Sequence, residues 1–137
     1  MKPIGHFVSS LTGAGLIYGF LGNFTAGVIF FISSFFIDLD HIFDYALQCG
    51  IKNMNLRLLN DCRIHRKLTR HFLILHSFEF LLILWILIAV FKLNIFWISL
   101  ALGFTLHLII DQFTNPCFIF SYFFTYRLRK KFKAEEI

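Results

Sequence analysis

From Phe72 to Phe91 the chain runs twenty residues with one charged side chain, Glu79. At about 1.5 Å of rise per residue, that is the length a helix needs to cross the hydrocarbon core of a bilayer. Three shorter apolar runs accompany it: Ile4 to Phe20, Phe24 to Ile37 and Ile95 to Ile110. A fifth, Phe118 to Tyr126, is too short to cross. Only 15% of the 137 residues are charged and 58% are hydrophobic, 20 of them Phe, and the mean hydropathy is +0.72. A soluble chain needs roughly a quarter of its residues charged to cover its outside, so disorder and most soluble folds are excluded and the missing polar surface faces lipid. The expected fold is all-α, an integral membrane bundle of about four transmembrane helices with short interfacial helices, forming a single domain over residues 1–137.

Loop lengths set the topology. The turns Leu21-Gly22-Asn23 and Lys92-Leu93-Asn94 are only a few residues long, so spans one and two form one hairpin and spans three and four another. The long connection from Gly50 to Arg70 carries six basic residues and one acidic residue, Asp61, and five more basic residues lie between Arg127 and Lys133. The excess of Lys and Arg in this loop predicts a multi-pass protein of the inner (cytoplasmic) membrane with the loop and both termini in the cytoplasm. Lys2 precedes an apolar stretch, as in a signal peptide, but glycines interrupt that stretch and no small-residue cleavage site follows, so it is read as retained.

Within the loop, Ile51, Met54, Leu58 and Cys62 recur at helical spacing beside Arg57 and Arg63, which predicts a short helix lying in the interface. The stretch Arg127 to Lys133 is expected to do the same. Both are read as anchors on a lipid bilayer, drawn to anionic headgroups at about 1 kcal/mol per basic residue, and no nucleic acid is expected as a partner. Cys49, Cys62 and Cys117 form no CxxC pair and no disulfide framework, and are read as apolar fillers.

Ionisable side chains at the edge of a membrane span are expensive unless paired, hydrated or bound to a metal. This chain has many: His6 opens span one, Asp38, Asp40, His41 and Asp44 close span two, His71, His76 and Glu79 open span three, and His107 and Asp111 close span four. Alternating the spans brings all four groups to one side, the cytoplasmic one, although their positions played no part in setting the topology. Asp38 and His41 are three apart and His107 and Asp111 four apart, so each pair shares a helical face and can point two ligands at one centre. Imidazole with carboxylate is a ligand set for a divalent metal, zinc, manganese or iron. His71 and His76 are separated by about 140° on a regular helix, so both reach one site only if His71 precedes the first turn, which Thr69 would cap. Glu79 is expected as a carboxylate holding a ligating imidazole. Asp38 and Asp40 cannot both face one ion on a regular turn, so Asp38 is assigned as ligand and Asp40 as general base. His6 and His65 on their own read as interfacial polar residues.

These motifs in this order, His6, then Asp38-Leu39-Asp40-His41, then His71 with His76-Ser77, then His107-Leu108-Ile109-Ile110-Asp111 followed by Phe113-Thr114-Asn115-Pro116, resemble the YdjM-type bacterial inner-membrane proteins. Those are described as membrane-bound metal-dependent hydrolases and sometimes as LexA-binding. The resemblance spans about residues 4 to 125 and implies that His6, Asp38, Asp40, His41, His71, His76, His107 and Asp111 form the functional set, with zinc as the expected metal. The family usually has Pro where this chain has Ile37, and Arg where it has Phe72, which leaves anion binding to Arg70 or Arg66. It is also distantly similar to zinc-dependent phospholipase C, an all-helical phosphodiesterase with a similar HxxxD pair.

The chemistry such a site supports is metal-assisted hydrolysis, and its place at a membrane surface favours a phosphoester or lipid-like substrate. A transporter would set its ionisable groups near the midplane, and the Ser-Gly-His motif of phosphatidic-acid phosphatases is absent. The alternative is a membrane adaptor that binds a regulator and holds a structural metal in a closed shell.

Overall fold

The computed structural model describes residues 3–50, 69–114 and 119–133. The expected interfacial helix around Met54 and Leu58 lies outside them, as do His65, Arg66, Cys62 and Cys117. The described chain is all α: α1 (Pro3–Leu21), α2 (Phe24–Phe36), α3 (Leu39–Cys49), α4 (Phe78–Phe91), α5 (Ile95–Thr114), a 3-10 turn (Ile119–Tyr122) and α6 (Phe124–Arg129). Among the described residues the one β contact is an isolated antiparallel bridge between Arg70 and Lys133. Three segments are long and apolar enough to cross a membrane: Ile4–Leu21, Phe24–Gln48 and Ile95–Thr114.

The third apolar run departs from expectation. Only Phe78–Phe91 is helical, and residues 71–77 ahead of it are irregular. The helix starts at Ser77, whose hydroxyl accepts from Phe80 N at 3.3 Å. A serine there competes for the backbone and stops the helix from extending back to Thr69.

Both short turns form as their residues dictate. Gly22 takes φ +61 after α1, and Asn23 then caps α2 through Ala26 N at 3.0 Å. Lys92 ends α4 in the left-handed region at φ +48. The two hairpins pack through α2, which lies against both α1 and α5. Lipid tails are as apolar as leucine, so close backbone approach, not hydrophobicity, holds such helices together. The seam between α2 and α5 is built that way: a Cβ on Gly103 would lie 2.7 Å from Phe30 O and 3.0 Å from Ser34 N. On the other side Ser10 of α1 donates a 2.8 Å hydrogen bond to the Ser34 hydroxyl. The α4–α5 hairpin adds an apolar cluster of Leu84, Ile88 and Ala101.

Candidate metal centre

His107 lies one turn beyond Gly103, so the tight seam presses its ring onto α2. Its Nδ1 is 2.7 Å from the carbonyl oxygen of Ser34. A carbonyl can only accept, so Nδ1 carries the proton and Nε2 turns the other way. There it meets Asp38 Oδ1 at 3.3 Å and, four residues along its own helix, Asp111 Oδ2 at 3.4 Å.

Asp38 reaches that point because the chain breaks stride between α2 and α3. Ile37 and Asp38 form a turn whose tight bonds run from Asp40 N to Ile37 O and from His41 N to Asp38 O, both 3.1 Å. Asp38 then faces α5 while Asp40 points to the opposite flank. His76, from the irregular segment, completes the group. Its Nε2 is 3.5 Å from Asp38 Oδ1 and 3.9 Å from Asp111 Oδ2, and its Nδ1 is 3.5 Å from Asp40 Oδ2. Asp38, His76, His107 and Asp111 therefore each offer one ligand atom, all within 4.8 Å of one another, and together they could hold a metal ion.

Three observations fit a divalent ion. Charge-assisted hydrogen bonds run to about 2.9 Å, and the four His–Asp separations of 3.3 to 3.9 Å exceed that. They bracket the edge of about 3.4 Å that four N and O ligands make around a tetrahedral ion at about 2.1 Å. The Nε2 atoms of His76 and His107 are buried without a hydrogen-bond partner, a cost that coordination would remove. And each imidazole turns its other nitrogen to an oxygen, Ser34 O or Asp40, as metal-bound histidines do. Two carboxylates also balance a divalent charge. The side chains of His76, His107 and Asp111 are no more than 3% exposed, whereas that of Asp38 is 38% exposed, so the group opens on one side.

The other expected residues fall around this core. His6 Nε2 donates to Asp111 Oδ1 at 3.0 Å, and the ring stacks on His107 with centroids 4.5 Å apart. It abuts the group and does not belong to the four. His41, 25% exposed at its side chain, stands at the open rim, its Nε2 3.9 Å from Asp38 and its ring 4.6 Å from that of His76. His71 is buried, lies outside the four, and donates its backbone N–H to Phe132 O at 2.8 Å. Two roles change. Asp40, expected as the base, is buried behind His76 and accepts from Leu75 N at 2.7 Å. Glu79, expected behind an imidazole, instead accepts from Phe124 N, Thr125 N and the Thr125 hydroxyl at 2.7 to 3.0 Å, which anchors the first turn of α6.

The segment bearing His76 is held by residues whose role the spans did not suggest. α3 offers Asp40, Asp44 and Gln48, each four residues apart and so on one face. Asp40 takes Leu75 N, Asp44 takes Phe72 N at 2.8 Å, and Gln48 takes the Thr69 and Arg70 N–H groups at 3.1 Å and donates to Arg70 O at 2.6 Å. From the other side comes Arg127, expected among the lipid-binding cations but buried. Its guanidinium donates to Leu73 O at 2.8 Å and His76 O at 3.0 Å. Burial lowers its pKa, and the charges of Asp40, Glu79 and Asp44 oppose that shift. Past Arg129 the chain does not continue as a helix: Lys131 and Phe132 turn at positive φ and Lys133 returns to Arg70. The four-residue spacing of Asp40, Asp44 and Gln48 was a readable signal; nothing in the sequence distinguishes Arg127 from the cations that follow it.

No family model, curated protein or solved structure matches this chain.

Proposed function

We propose that the chain is a membrane-bound metal-dependent hydrolase whose centre is Asp38, His76, His107 and Asp111, with zinc as the metal and a phosphoester or lipid-like molecule as substrate. The observation that carries this reading is the pair of buried Nε2 atoms on His76 and His107, neither in a well-formed hydrogen bond and each facing carboxylates at 3.3 to 3.9 Å. A divalent ion in such a site lowers the pKa of a bound water towards neutrality and polarises an ester or phosphoryl oxygen. The protein's own contribution is to fix the donors. Ser34 O and Asp40 orient the two imidazoles, His6 steadies Asp111, and Arg127 with the α3 stripe holds the backbone that carries His76. His41, at the open rim and more exposed than Asp40, is the candidate proton acceptor. The exposure of Asp38 favours a site that admits substrate over the closed shell of a structural metal. The excess of Lys and Arg in the sequence between Gly50 and Arg70 supports a site at the cytoplasmic membrane face, and the resemblance of the motif order to YdjM-type proteins supports the same activity.

The test is metal content per chain, measured by mass spectrometry on detergent-purified protein without a His-tag, for the wild type and for His107→Ala/Asp111→Ala. The wild type is expected to hold at least one divalent ion and to hydrolyse a chromogenic phosphoester only when loaded, and the folded variant to do neither. A wild type that stays metal-free after growth with added zinc and manganese overturns the proposal.

A further inference from the structure

Beside the centre, α2 and α5 part to leave a groove of about 580 Å3, walled by Ile32 and Phe36 on one helix and Trp97 and Leu100 on the other. Apart from Ser33 its lining is apolar. From Ile29 to Ile37 it follows α2 for about 12 Å, and both helices run towards the metal centre. At its inner end stand Ile37, Leu75 and Phe104. Two of these are the chain neighbours of Asp38 and His76, and Phe104 lies one helical turn before His107. The groove therefore ends at residues next in sequence to two members of the centre, and Asp38, which follows Ile37 at the end of the apolar wall, is the exposed member of the four. Arg70 lies five residues before Leu75, and Arg129, Lys131 and Lys133 lie within six residues of Arg127, whose guanidinium holds the His76 carbonyl; all four cations are exposed.

We propose that this groove seats the hydrocarbon chain of an anionic amphiphile whose phosphate head lies at the metal centre. The inference rests on the hydrolase reading above and names its substrate class. Three features select this occupant. The apolar wall matches an alkyl chain, the exposed cations match a negative head, and the wall ends next in sequence to Asp38, the most exposed of the four grouped residues. The groove's position within the candidate membrane spans lets a lipid slide in sideways, with no need to leave the bilayer.

The chain has two tryptophans, and only Trp97 lines the groove. In a Trp85→Phe background, Trp97 fluorescence reports a brominated chain directly. Zinc-loaded protein in nanodiscs is titrated with dibromostearoyl lysophosphatidic acid and, in parallel, with the monoglyceride that carries the same chain and no phosphate. The expected result is saturable quenching, with half-saturation about tenfold lower for the phosphate lipid. Ile32→Phe, which fills the groove from its exposed wall, should abolish the saturable component and leave metal content unchanged. Quenching that rises in proportion to mole fraction, equally for both lipids, means annular lipid only and overturns the proposal. So does a Trp97 that no lipid quenches because a second copy of the chain covers it, seen as a dimer in light scattering. Failure of the hydrolase reading looks different: metal-free wild type whose quenching ignores the phosphate.

Discussion

Two parts of this molecule solve the same problem in opposite ways. In the seam of α2 and α5 the backbone satisfies itself, and the helices meet because Gly103 lets them approach. In residues 69–77 the backbone makes no regular structure, and side chains from elsewhere satisfy it one group at a time: Gln48, Asp44 and Asp40 from one side, Arg127 from the other. Irregular backbone at the edge of a membrane survives only where protein encloses it. The seam tolerates polar loss and not added volume; the segment tolerates neither, because each holding group has a named partner. His76 sits on the second kind of support and His107 on the first, so the centre samples both.

Removing Arg127 should break the comparison most severely. Arg127→Ala strands the Leu73 and His76 carbonyls and leaves Asp40, Asp44 and Glu79 without their buried cation. We expect a loss of about 3 kcal/mol, read as a lower thermal midpoint in detergent, with metal binding lost. Arg127→Lys should not restore it, since one ammonium cannot span two carbonyls as the guanidinium does. Gly103→Ala attacks the seam: the new methyl overlaps Phe30 O and the Ser33 hydroxyl, and about 1 to 3 kcal/mol of stability should go. Metal affinity should fall with it, because His107 is set by that contact. Asp40→Asn can still accept from Leu75 N while losing its charge beside His76. Metal affinity by competition with a chelating dye should drop about 10- to 100-fold at nearly unchanged stability. Ser10→Ala removes one interhelical hydroxyl bond and should cost about 0.6 kcal/mol, with metal content intact.

Proton competition sharpens the same contrast. Burial pulls the pKa of His76 down, but the nearby carboxylates of Asp38 and Asp40 favour the protonated ring and outweigh that, and the net shift is upward from 6.5. The metal-free ring is therefore protonated at pH below that raised value, and a metal must displace its proton. Apparent affinity should fall as pH is lowered, and binding at neutral pH should release protons, detectable by calorimetry in buffers of different ionisation heat. Asp40→Asn removes one of the two carboxylates that raise His76, and should reduce the release.

Hydropathy and loop length made the helices and both hairpins legible, because a bilayer imposes length and a tight turn imposes neighbours. The pairing of His107 with Asp111 followed from helical spacing; helical angles said only that Asp38 and Asp40 cannot both face one ion, and the turn at Ile37–Asp38 is what brings Asp38 inward. Periodicity misled where the helix was assumed to continue. Ser77 stops α4 short, and His71 and His76 then occupy a segment whose path depends on bonds from Asp44 and Arg127, 28 and 54 residues away from the backbone they hold. Such partners leave no mark at the positions they serve. The same blindness made Arg127 one cation among five and Glu79 a support for a histidine, when the fold uses it to start α6.

His6 lies on α1, ahead of Asp38, His76, His107 and Asp111 in sequence, while Arg127 follows all four. During biosynthesis the helices ahead of α5 and α6 can enter the membrane, but the contact of His6 with Asp111 must wait for α5 and the grip of Arg127 on His76 for α6. The centre therefore depends on residue 127, and a chain cut short before Arg127 is expected to lose metal binding.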